Sequence, residues 1–518
     1  MARTRQDAAR FADEWDDSLL WYARGVQALQ SRGDLNDVTS WRYLAAMHGL
    51  EETLWREFGY LASDEELPQT DEFNLEDKDQ CQHHNWYFLP WHRGYLSAFE
   101  KIVLAAIVEL GGPADWALPY WNYSDEDNPK ARSFPAAFAS QAWPDDGDNP
   151  LYVARRYGRG NGEIVIRKQD VDLRQPLGER AFAGTTTGGA PGFGGAATPF
   201  QHDADRRAEG FLEQAPHDVM HGVIGGFRND DDTDWRNLGL MSHPGTAALD
   251  PIFWLHHANL DRLWDVWLRR DQLHENPGEL DWLDGPAGPR IFIMPAPDGS
   301  RRQFRAREML DTTAPDLDYE YEDVSDPLGG QTRFEARRRT LGLETGIVQE
   351  RAMAKKPKVE LLGANASAVR LAGKLGGTSV RIDKETNRKV AESFAAARQE
   401  TAAEPDRVFL NLENITGTND AAVFDVYVGL APDQDPEEHQ DLLAGVVSLF
   451  GVSSATKMSD PHGGAGLNKV IEITDIVDRL HLAGPQDLDE LPVRFVAANS
   501  FGSSGVQIGR VSIYRQGD

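Results

Sequence analysis

The chain of 518 residues has little sulfur, no long apolar run and few basic side chains. Its only cysteine is Cys81, so an internal disulfide framework is excluded. Its longest apolar stretches, such as residues 102–108, are too short to span a bilayer. The 53 lysines and arginines stand against 83 acidic residues, a net charge of −30, which argues against nucleic acid or an anionic membrane surface as a partner.

The sequence also shows neither a signal peptide nor a phosphate-binding loop. The first residues, MARTRQDAARFADEWDD, lack the basic and then apolar segments of a signal peptide, which together with the single thiol predicts a cytoplasmic location. The glycine-rich segment 184–197 lacks the Gly-Lys-Ser/Thr ending and the preceding strand of a phosphate-binding loop. We therefore expect it to be a flexible surface loop.

The composition changes twice along the chain. Residues 1–322 are rich in tryptophan and histidine and read as mainly helical. Residues 323–357 are charged and contain helix breakers, which is typical of a linker. Residues 358–518 hold short β-rich runs separated by turns and predict a β-sandwich. The linker carries basic residues that we expect to be exposed to proteases: Arg337, Arg338, Arg339, Lys355 and Lys356.

Hydrophobic spacing and capping signals predict four helices in the first part. An amphipathic helix spans residues 38–58, and a second runs from near Pro90 to a stop at Gly111. A third covers residues 217–223, and a fourth starts where Asp250 provides a cap and Pro251 suits the first turn. The predicted fold is therefore a mainly α core, a four-helix bundle, followed by the β-sandwich.

Histidines are distributed along these helices. His217 and His221 are four residues apart, which places both rings on one helix face, although this spacing alone is usually incidental. His257 has a carboxylate one turn later, Asp261, that could orient its ring, whereas His256 points the other way and is read as a core histidine.

The other half of the core supplies three more histidines. His48 lies on an apolar stripe, and His92 lies in the first turn of a helix. His83 precedes His92 by nine residues across Pro90, so if the two share a metal ion, His83 must reach it from a loop. Helical bundles commonly hold two metal ions between inward-facing ligands, and neutral imidazole suits copper, zinc, iron or nickel. Spacing alone does not choose among these metals.

Three segments resemble those of a known family. HHNWYFLPWHRGYLSAFE and LDPIFWLHHANLDRLW resemble the two copper-binding signatures of type-3 copper proteins: tyrosinases, catechol oxidases (polyphenol oxidases) and haemocyanins. DYEY, at residues 318–321, is similar to a tyrosine motif of plant-type polyphenol oxidases. The resemblance covers residues 38–322, and the strand-like runs VFDVYVGL and VQIGRVSIY look like the C-terminal domain of those enzymes.

The resemblance implies two copper ions that bind dioxygen. Cys81 matches a cysteine that, in some members, forms a thioether with the histidine two residues later, here His83. Glu213 matches a glutamate that holds a water molecule, although it also reads as a solvated acid at a helix start. Copper A would be bound by His48, His83 and His92, and copper B by His217, His221 and His257.

The residues after the first two copper B histidines depart from the pattern of strong monophenol hydroxylators. Asp218 stands where those enzymes often carry asparagine, and Gly222 offers no side chain to substrate. An ionised aspartate accepts hydrogen bonds but donates none. We therefore expect oxidation of o-diphenols to o-quinones to outpace hydroxylation of monophenols.

The implied function is a copper-dependent phenol oxidase that uses dioxygen and small phenolic substrates. The C-terminal domain resembles the one that covers the copper site in plant-type enzymes, so latency until that domain is displaced is expected, with an activating protease as a candidate partner. Two alternatives share the same site: an o-aminophenol oxidase of a biosynthetic pathway, and a haemocyanin-like oxygen carrier. The second is disfavoured because a single chain with one site is unlike large multi-unit carriers.

Overall fold

The structure, a computed structural model, describes residues 2–67, 81–159, 162–198, 208–228, 235–286, 291–340, 342, 357–397, 406–457, 464–483, 489–497 and 505–517. Within these ranges no helix is both long and apolar enough to cross a membrane. A helical domain is followed by a sheet domain, called the β domain (residues 358–517), which confirms the predicted fold class.

The helical domain is built around a core rich in tryptophan. Its α-helices are α1 Asp17–Gln30, α2 Trp41–His48, α3 Glu52–Glu57, α4 Phe88–Glu109, α5 Ala136–Ala139, α6 Arg174–Gly178, α7 Val219–Gly225, α8 Ile252–Arg269 and α9 Leu280–Leu283, with a π-helical segment at Glu213–Asp218. Its strands pair two by two: β1 Arg3–Arg5 with β6 Tyr319–Tyr321, β2 Ala183–Gly184 with β3 Gly195–Ala196, and β4 Phe292–Pro295 with β5 Arg301–Phe304.

The two longest helices of the core begin where local signals place them. Helix α4 starts two residues before Pro90, which is tolerated because first-turn N–H groups have no acceptor within the helix. It ends just before Gly111, whose φ of +84° favours glycine. At the start of α8, Asp250 Oδ1 accepts a hydrogen bond from the backbone N–H of Ile252 at 3.1 Å.

The helix predicted over residues 38–58 is interrupted, and that prediction is wrong in its length. Helix α2 ends at His48, and α3 starts at Glu52. A Cβ on Gly49 would lie 2.9 Å from the carbonyl oxygen of Pro244, so glycine allows this neighbouring segment to approach closely. The approach places the Pro244 carbonyl beside the His48 ring.

The β domain contains one antiparallel sheet and flanking helices. Its strands are β7 Lys358–Ala364, β8 Val369–Arg370, β9 Leu375–Ile382, β10 Arg407–Thr416, β11 Val423–Val428, β12 Leu443–Ser448, β13 Leu467–Glu472, β14 Glu490–Ala497 and β15 Gln507–Gly517. The order is β12-β11-β14-β9-β7-β15-β10-β13, with β8 paired to β15. Its helices are α11 Lys384–Ala397, α12 Val452–Thr456 and α13 Thr474–Ala483; α10 Arg333–Thr340 lies before the domain.

This single sheet curls into a nearly closed barrel where the sequence predicts two stacked sheets. Its edge strands β12 and β13 come together, since a Cβ on Gly445 would lie 3.4 Å from Ile471 Cγ2. The alternating burial of each strand fits either arrangement, because one apolar face per strand is needed in both. Pairing partners, which decide between the two, lie far apart in the sequence.

Two surface predictions are wrong. Arg337 and Arg338 are buried, and Arg337 binds Asp478 of α13 with Nη2–Oδ1 and Nε–Oδ2 distances of 2.9 and 2.6 Å. The glycine-rich segment 184–197 is largely buried against the β domain, where Asn411 Nδ2 donates to the carbonyl of Gly188 at 3.2 Å. Lys355 and Lys356 lie outside the described residues.

Candidate metal centre

The first histidine triplet comes from two helices and a loop. His48 is the last residue of α2, His92 lies in α4, and His83 lies in the irregular segment before α4. The ring centroids of His83 lie 5.2 Å from those of both His48 and His92, and His48 and His92 are 5.7 Å apart. The predicted approach of His83 from a loop agrees with its position.

The second triplet surrounds the start of α7. His217 lies in the π-helical segment, His221 in α7 and His257 in α8. The ring centroids are 4.6 Å apart for His217 and His221, and 5.0 Å for His217 and His257. The Nε2 atoms of His217 and His221 are 3.2 Å apart, so both rings point to one small volume.

The two triplets face each other. The rings of His92 and His257 stack at 4.5 Å with an interplanar angle of 9°. His83 and His217 approach to 5.6 Å on another side. Ligand atoms of each triplet lie within 4.8 Å of one another, in two adjacent groups. The arrangement offers two neighbouring metal positions.

Backbone carbonyl groups fix the orientation of three rings. The Nδ1 atoms of His48, His92 and His221 contact carbonyl oxygens at 3.0, 2.8 and 2.8 Å. The acceptors are the carbonyls of Pro244, Phe88 and Met241. Such a bond places the ring proton on Nδ1 and leaves the Nε2 lone pair for a metal ion.

The remaining ring nitrogens test whether a metal fits. Among the described residues, the buried Nε2 atoms of His48, His83, His92 and His257 have no hydrogen-bond partner. Burial lowers the pKa of His48 to about 4 and that of the other three rings well below its usual range, with neighbouring histidines adding to the effect for those three. Neutral imidazoles with unsatisfied lone pairs are suitable ligands for copper, zinc, iron or nickel.

Cys81 lies beside the ring of His83. Its Sγ atom is buried and 3.3 Å from Nδ1 of that ring. The sulfur also belongs to the group of potential ligand atoms around His48 and His92. The thiol therefore lies next to this ring, as a thioether between the two residues would require.

One neighbour of His257, Asp261, differs from its predicted role. Asp261 does not orient this ring, because its oxygens accept hydrogen bonds from Arg93 Nε and from the hydroxyls of Tyr319 and Tyr321, each at 2.5 Å. His256, read as a core residue, contacts the Tyr123 hydroxyl at 3.2 Å through Nδ1. One nitrogen of the His256 ring also lies within 4.8 Å of ligand atoms of His217, His221 and His257. The sequence spacing did not indicate this proximity.

Three buried acids lie beside the second triplet. Glu213 accepts a hydrogen bond from the backbone N–H of His84 at 2.8 Å, and Asp218 Oδ1 lies 2.7 Å from His217 Nδ1. Burial raises the pKa of Glu213 well above its usual range, and the carboxylates of Glu209 and Asp218 raise it further. Burial also raises the pKa of Asp218.

A lysine of the β domain lies between two of these acids. Lys469, in β13, contacts Glu209 and lies 2.5 Å from Asp218 Oδ2. Burial would raise the pKa of Glu209, but the Lys469 ammonium and the His84 ring together lower it to about 2. His84 Nδ1 is 2.8 Å from the other oxygen of Glu209.

An aromatic ring of the β domain covers the same triplet. Phe450, after β12, stacks on His221 with centroids 4.1 Å apart at 13°, and its centroid is 5.8 Å from that of His217. Phe450 belongs to the apolar core of the helical domain, together with Val423 and Val446. Sequence reasoning missed Phe450, Lys469 and Glu209, because nothing local in the sequence links β12 or β13 to the histidines.

Comparisons with known proteins agree with this geometry. The family model described as the common central domain of tyrosinase matches residues 38–270, and a domain of unknown function (DUF7868) matches residues 358–516. Tyrosinase HcTyr1 of Hahella sp. is 31% identical over the full length of both chains. A chloroplastic polyphenol oxidase of Malus domestica is 26% identical, covering 83% of this chain and 66% of that protein.

Solved structures share the whole two-domain fold. The structure of latent apple tyrosinase matches 99% of this chain and 97% of its own, with a TM-score of 0.58 and 20% identity. Latent aurone synthase, a polyphenol oxidase, matches 100% of this chain and 89% of its own, with a TM-score of 0.57 and 18% identity. Full-length similarity to a tyrosinase, together with two facing groups of histidines that could each hold a metal ion, shows that this chain belongs to the tyrosinase and polyphenol oxidase family of dicopper enzymes.

Proposed function

We propose that this enzyme oxidises o-diphenols to o-quinones with dioxygen, and that His48, His83 and His92 bind one copper ion while His217, His221 and His257 bind the other. The observation that carries the proposal is the pair of facing histidine groups. Copper bound there supplies the redox chemistry between phenol and dioxygen. The protein supplies fixed ring orientations and an enclosed apolar site.

Glu213 is proposed to hold a water molecule that accepts the phenol proton. Its Oε1 atom is fixed by the His84 N–H, whereas the buried Oε2 atom has no partner among the described residues. A buried carboxyl group held in this way, with its pKa raised by burial and by the neighbouring carboxylates, is suited to receiving and returning a proton.

Asp218 is proposed to limit hydroxylation of monophenols. Its two oxygens face His217 Nδ1 and Lys469 Nζ, at 2.7 and 2.5 Å, so it acts as an acceptor on both sides. It therefore has no N–H to offer to a water or a phenol as asparagine would. Diphenols should be the faster substrates, and 4-tert-butylcatechol against o-aminophenol separates the main proposal from the aminophenol oxidase alternative.

The intact chain is proposed to be latent, because Phe450 fills the position where a substrate ring would stack. A parallel contact with His221 at 4.1 Å leaves no room for a second ring on that face. Removing the side chain alone should open the site without any change in the copper ligands.

The test compares full-length copper-loaded protein with its Phe450→Ala and Phe450→Leu variants. We expect two copper ions per chain in all three, and at least tenfold faster 4-tert-butylcatechol oxidation by the alanine variant. The leucine variant is the matched control, since it keeps an apolar group over His221. Catechol turnover that is equal in all three proteins contradicts the latency proposal, and bound dioxygen without turnover in the alanine variant would indicate an oxygen carrier.

A further inference from the structure

The β domain brings two different chemical groups to the second histidine triplet. Phe450 contributes an aromatic ring stacked on His221. Lys469 contributes a primary ammonium group 2.5 Å from Asp218, whose other oxygen is 2.7 Å from His217. The ring comes from the turn after β12 and the ammonium from β13, and they reach His221 and the carboxylate that contacts His217.

The ammonium group is held by charge on both sides. Lys469 is 2% exposed, and its two partners, Glu209 and Asp218, are 2% exposed each. A buried ammonium requires this pairing because its desolvation is otherwise unfavourable by several kcal/mol. The acids in turn require a cation.

Displacement of the β domain leaves the pocket wall with excess negative charge. Both carboxylates belong to the helical domain, whereas the ammonium leaves with β13. The His84 ring stays with Glu209 but is a weaker, titratable partner. Among the described contacts, Asp218 then keeps only its contact with the neutral His217 ring.

We propose that the enzyme prefers phenols and catechols that carry a short cationic side chain, the arylethylamine class, and that Phe450 and Lys469 occupy the positions of the ring and the ammonium of such a substrate. The inference rests on the proposed function and specifies its substrate. Charge in an enclosed site of low polarity discriminates strongly between cationic and anionic ligands that share one ring.

The test uses the full chain and ligands that cannot be oxidised. Phenethylamine, 2-phenylethanol and 3-phenylpropionate have one ring and a cationic, neutral or anionic end, and none has a ring hydroxyl. Their binding is measured by calorimetry to Phe450→Ala, which vacates the ring position, and to the double variant Phe450→Ala/Lys469→Ala, which vacates both positions.

The double variant should bind phenethylamine at least tenfold more tightly than 3-phenylpropionate, with 2-phenylethanol between them. In the single variant Phe450→Ala, Lys469 is still present and should weaken or reverse this order of affinities, because its ammonium occupies the proposed amine position. Adding Asp218→Asn to the double variant should reduce the amine preference at least threefold, as should raising the salt concentration from 0.05 to 0.5 M. Equal affinities for the three ligands in the double variant overturn the inference, and so does a preference that Asp218→Asn and salt leave unchanged.

Turnover separates this inference from the function on which it rests. The double variant should oxidise dopamine with a KM at least tenfold below that for 3-(3,4-dihydroxyphenyl)propionate, while the two kcat values differ much less. Absence of any catechol turnover contradicts the proposed oxidase, whereas the calorimetric order of the three ligands is unaffected by that outcome. Catechol turnover with no preference for the amine contradicts the substrate class alone.

Discussion

At the scale of single residues, the thiol of Cys81 is in contact with a proposed metal ligand. The sulfur lies 3.3 Å from Nδ1 of His83, the one triplet member that is not held by a helix. A covalent bond from sulfur to a ring carbon would fix the loop ligand at a constant orientation. Forming it removes the thiol hydrogen and one ring hydrogen with two electrons, which dioxygen accepts.

We predict that copper-loaded protein exposed to air is lighter than its sequence mass by two hydrogen atoms. Intact-mass spectrometry measures the difference, and a thiol reagent added after unfolding should not label Cys81. The Cys81→Ser variant should have its full sequence mass. A freely titratable thiol in the copper-exposed wild type would show that no thioether forms.

Asp420, in the β domain, is a second residue whose environment should have a measurable effect, here on the pH dependence of stability. It is buried, and its Oδ1 accepts the backbone N–H of Ser453 at 2.8 Å, just after the segment that carries Phe450. Burial raises its pKa to about 7, with Lys457 opposing. The folded carboxyl therefore keeps its proton in a range where the unfolded chain has lost it.

We predict that this group destabilises the β domain progressively as the pH rises. The stabilisation by its bound proton is complete below about pH 4 and is lost as the pH passes 7, a difference of up to about 4 kcal/mol. Asp420→Asn should remove this dependence and raise the urea midpoint at pH 8 more than at pH 5. The exposed Asp489→Asn is the control, and equal pH profiles for wild type and Asp420→Asn would contradict the assignment.

Single residues also show where sequence reasoning fails. The core-facing positions of His48 and His92 could be predicted from helix periodicity, whereas His83, which lies on a loop, was assigned as a ligand only through the resemblance to type-3 copper proteins. Asp261 could not, because its partners Tyr319 and Tyr321 lie some sixty residues later and compete for its oxygens. The cytoplasmic location read from the N-terminus stays a prediction.

At the scale of elements, α7 contacts the β domain through a residue with no side chain. A Cβ on Gly222 would lie 2.5 Å from Val423 Cγ2 and 3.2 Å from Ser448 Oγ. Its sequence-based interpretation was a position facing substrate. In the intact chain Gly222 is the surface on which β11 and β12 pack, so the β domain covers this position.

We predict that Gly222→Ala activates the intact chain. Alanine favours the helix by about 1 kcal/mol, so the helical domain is not weakened, but the added methyl group displaces Val423. Catechol turnover by the full-length variant should rise severalfold. The double variant Gly222→Ala/Val423→Ala restores the space and should return to low activity; a double variant as active as the single one would contradict the steric explanation.

Helix ends were predictable from the sequence where the residues that start or stop the helix lie within or next to it. Both ends of α4 and the start of α8 follow from proline, glycine and aspartate at fixed positions. The break at Gly49 was not predictable, because the Pro244 segment that requires it is almost two hundred residues away. The order of the strands in the β domain was not predictable for the same reason, because paired strands lie far apart in the sequence.

At the scale of the whole molecule, the opening of the barrel faces the helical domain. Gln175 closes the gap between the edge strands, donating to the carbonyls of Ala444 and Glu472 at 3.3 and 3.4 Å and accepting from the N–H of Glu472 at 3.1 Å. Gln214 accepts the N–H of Val470 at 2.8 Å. Edge strands that would otherwise be unpaired are thus satisfied by the other domain.

Ion pairs also cross between the domains. Arg167 binds Asp425 through two contacts of 2.7 Å, and Arg407 binds Glu179 at 2.8 Å. Asp425, Arg407 and Glu179 are buried and Arg167 is partly buried, so water competes less for these pairs than for exposed ones. The contacts between the domains do not depend on the chain that connects them.

We therefore predict that cutting the connection alone does not activate the enzyme. A specific protease site placed between Thr340 and Pro357 should give two fragments that co-elute and remain inactive, because Arg337 keeps α10 on the β domain and the other interdomain contacts are intact. Asp425→Asn removes the charge of a buried carboxylate that pairs with the partly buried Arg167, which costs about 2 kcal/mol and should raise the active fraction of cut protein about thirtyfold. Asp489→Asn, whose salt bridge to Lys384 stays within the β domain, is the matched control and should leave the cut protein inactive. Full activity immediately after cutting the wild type would mean that the connecting chain, and not the interdomain surface, holds Phe450 over His221.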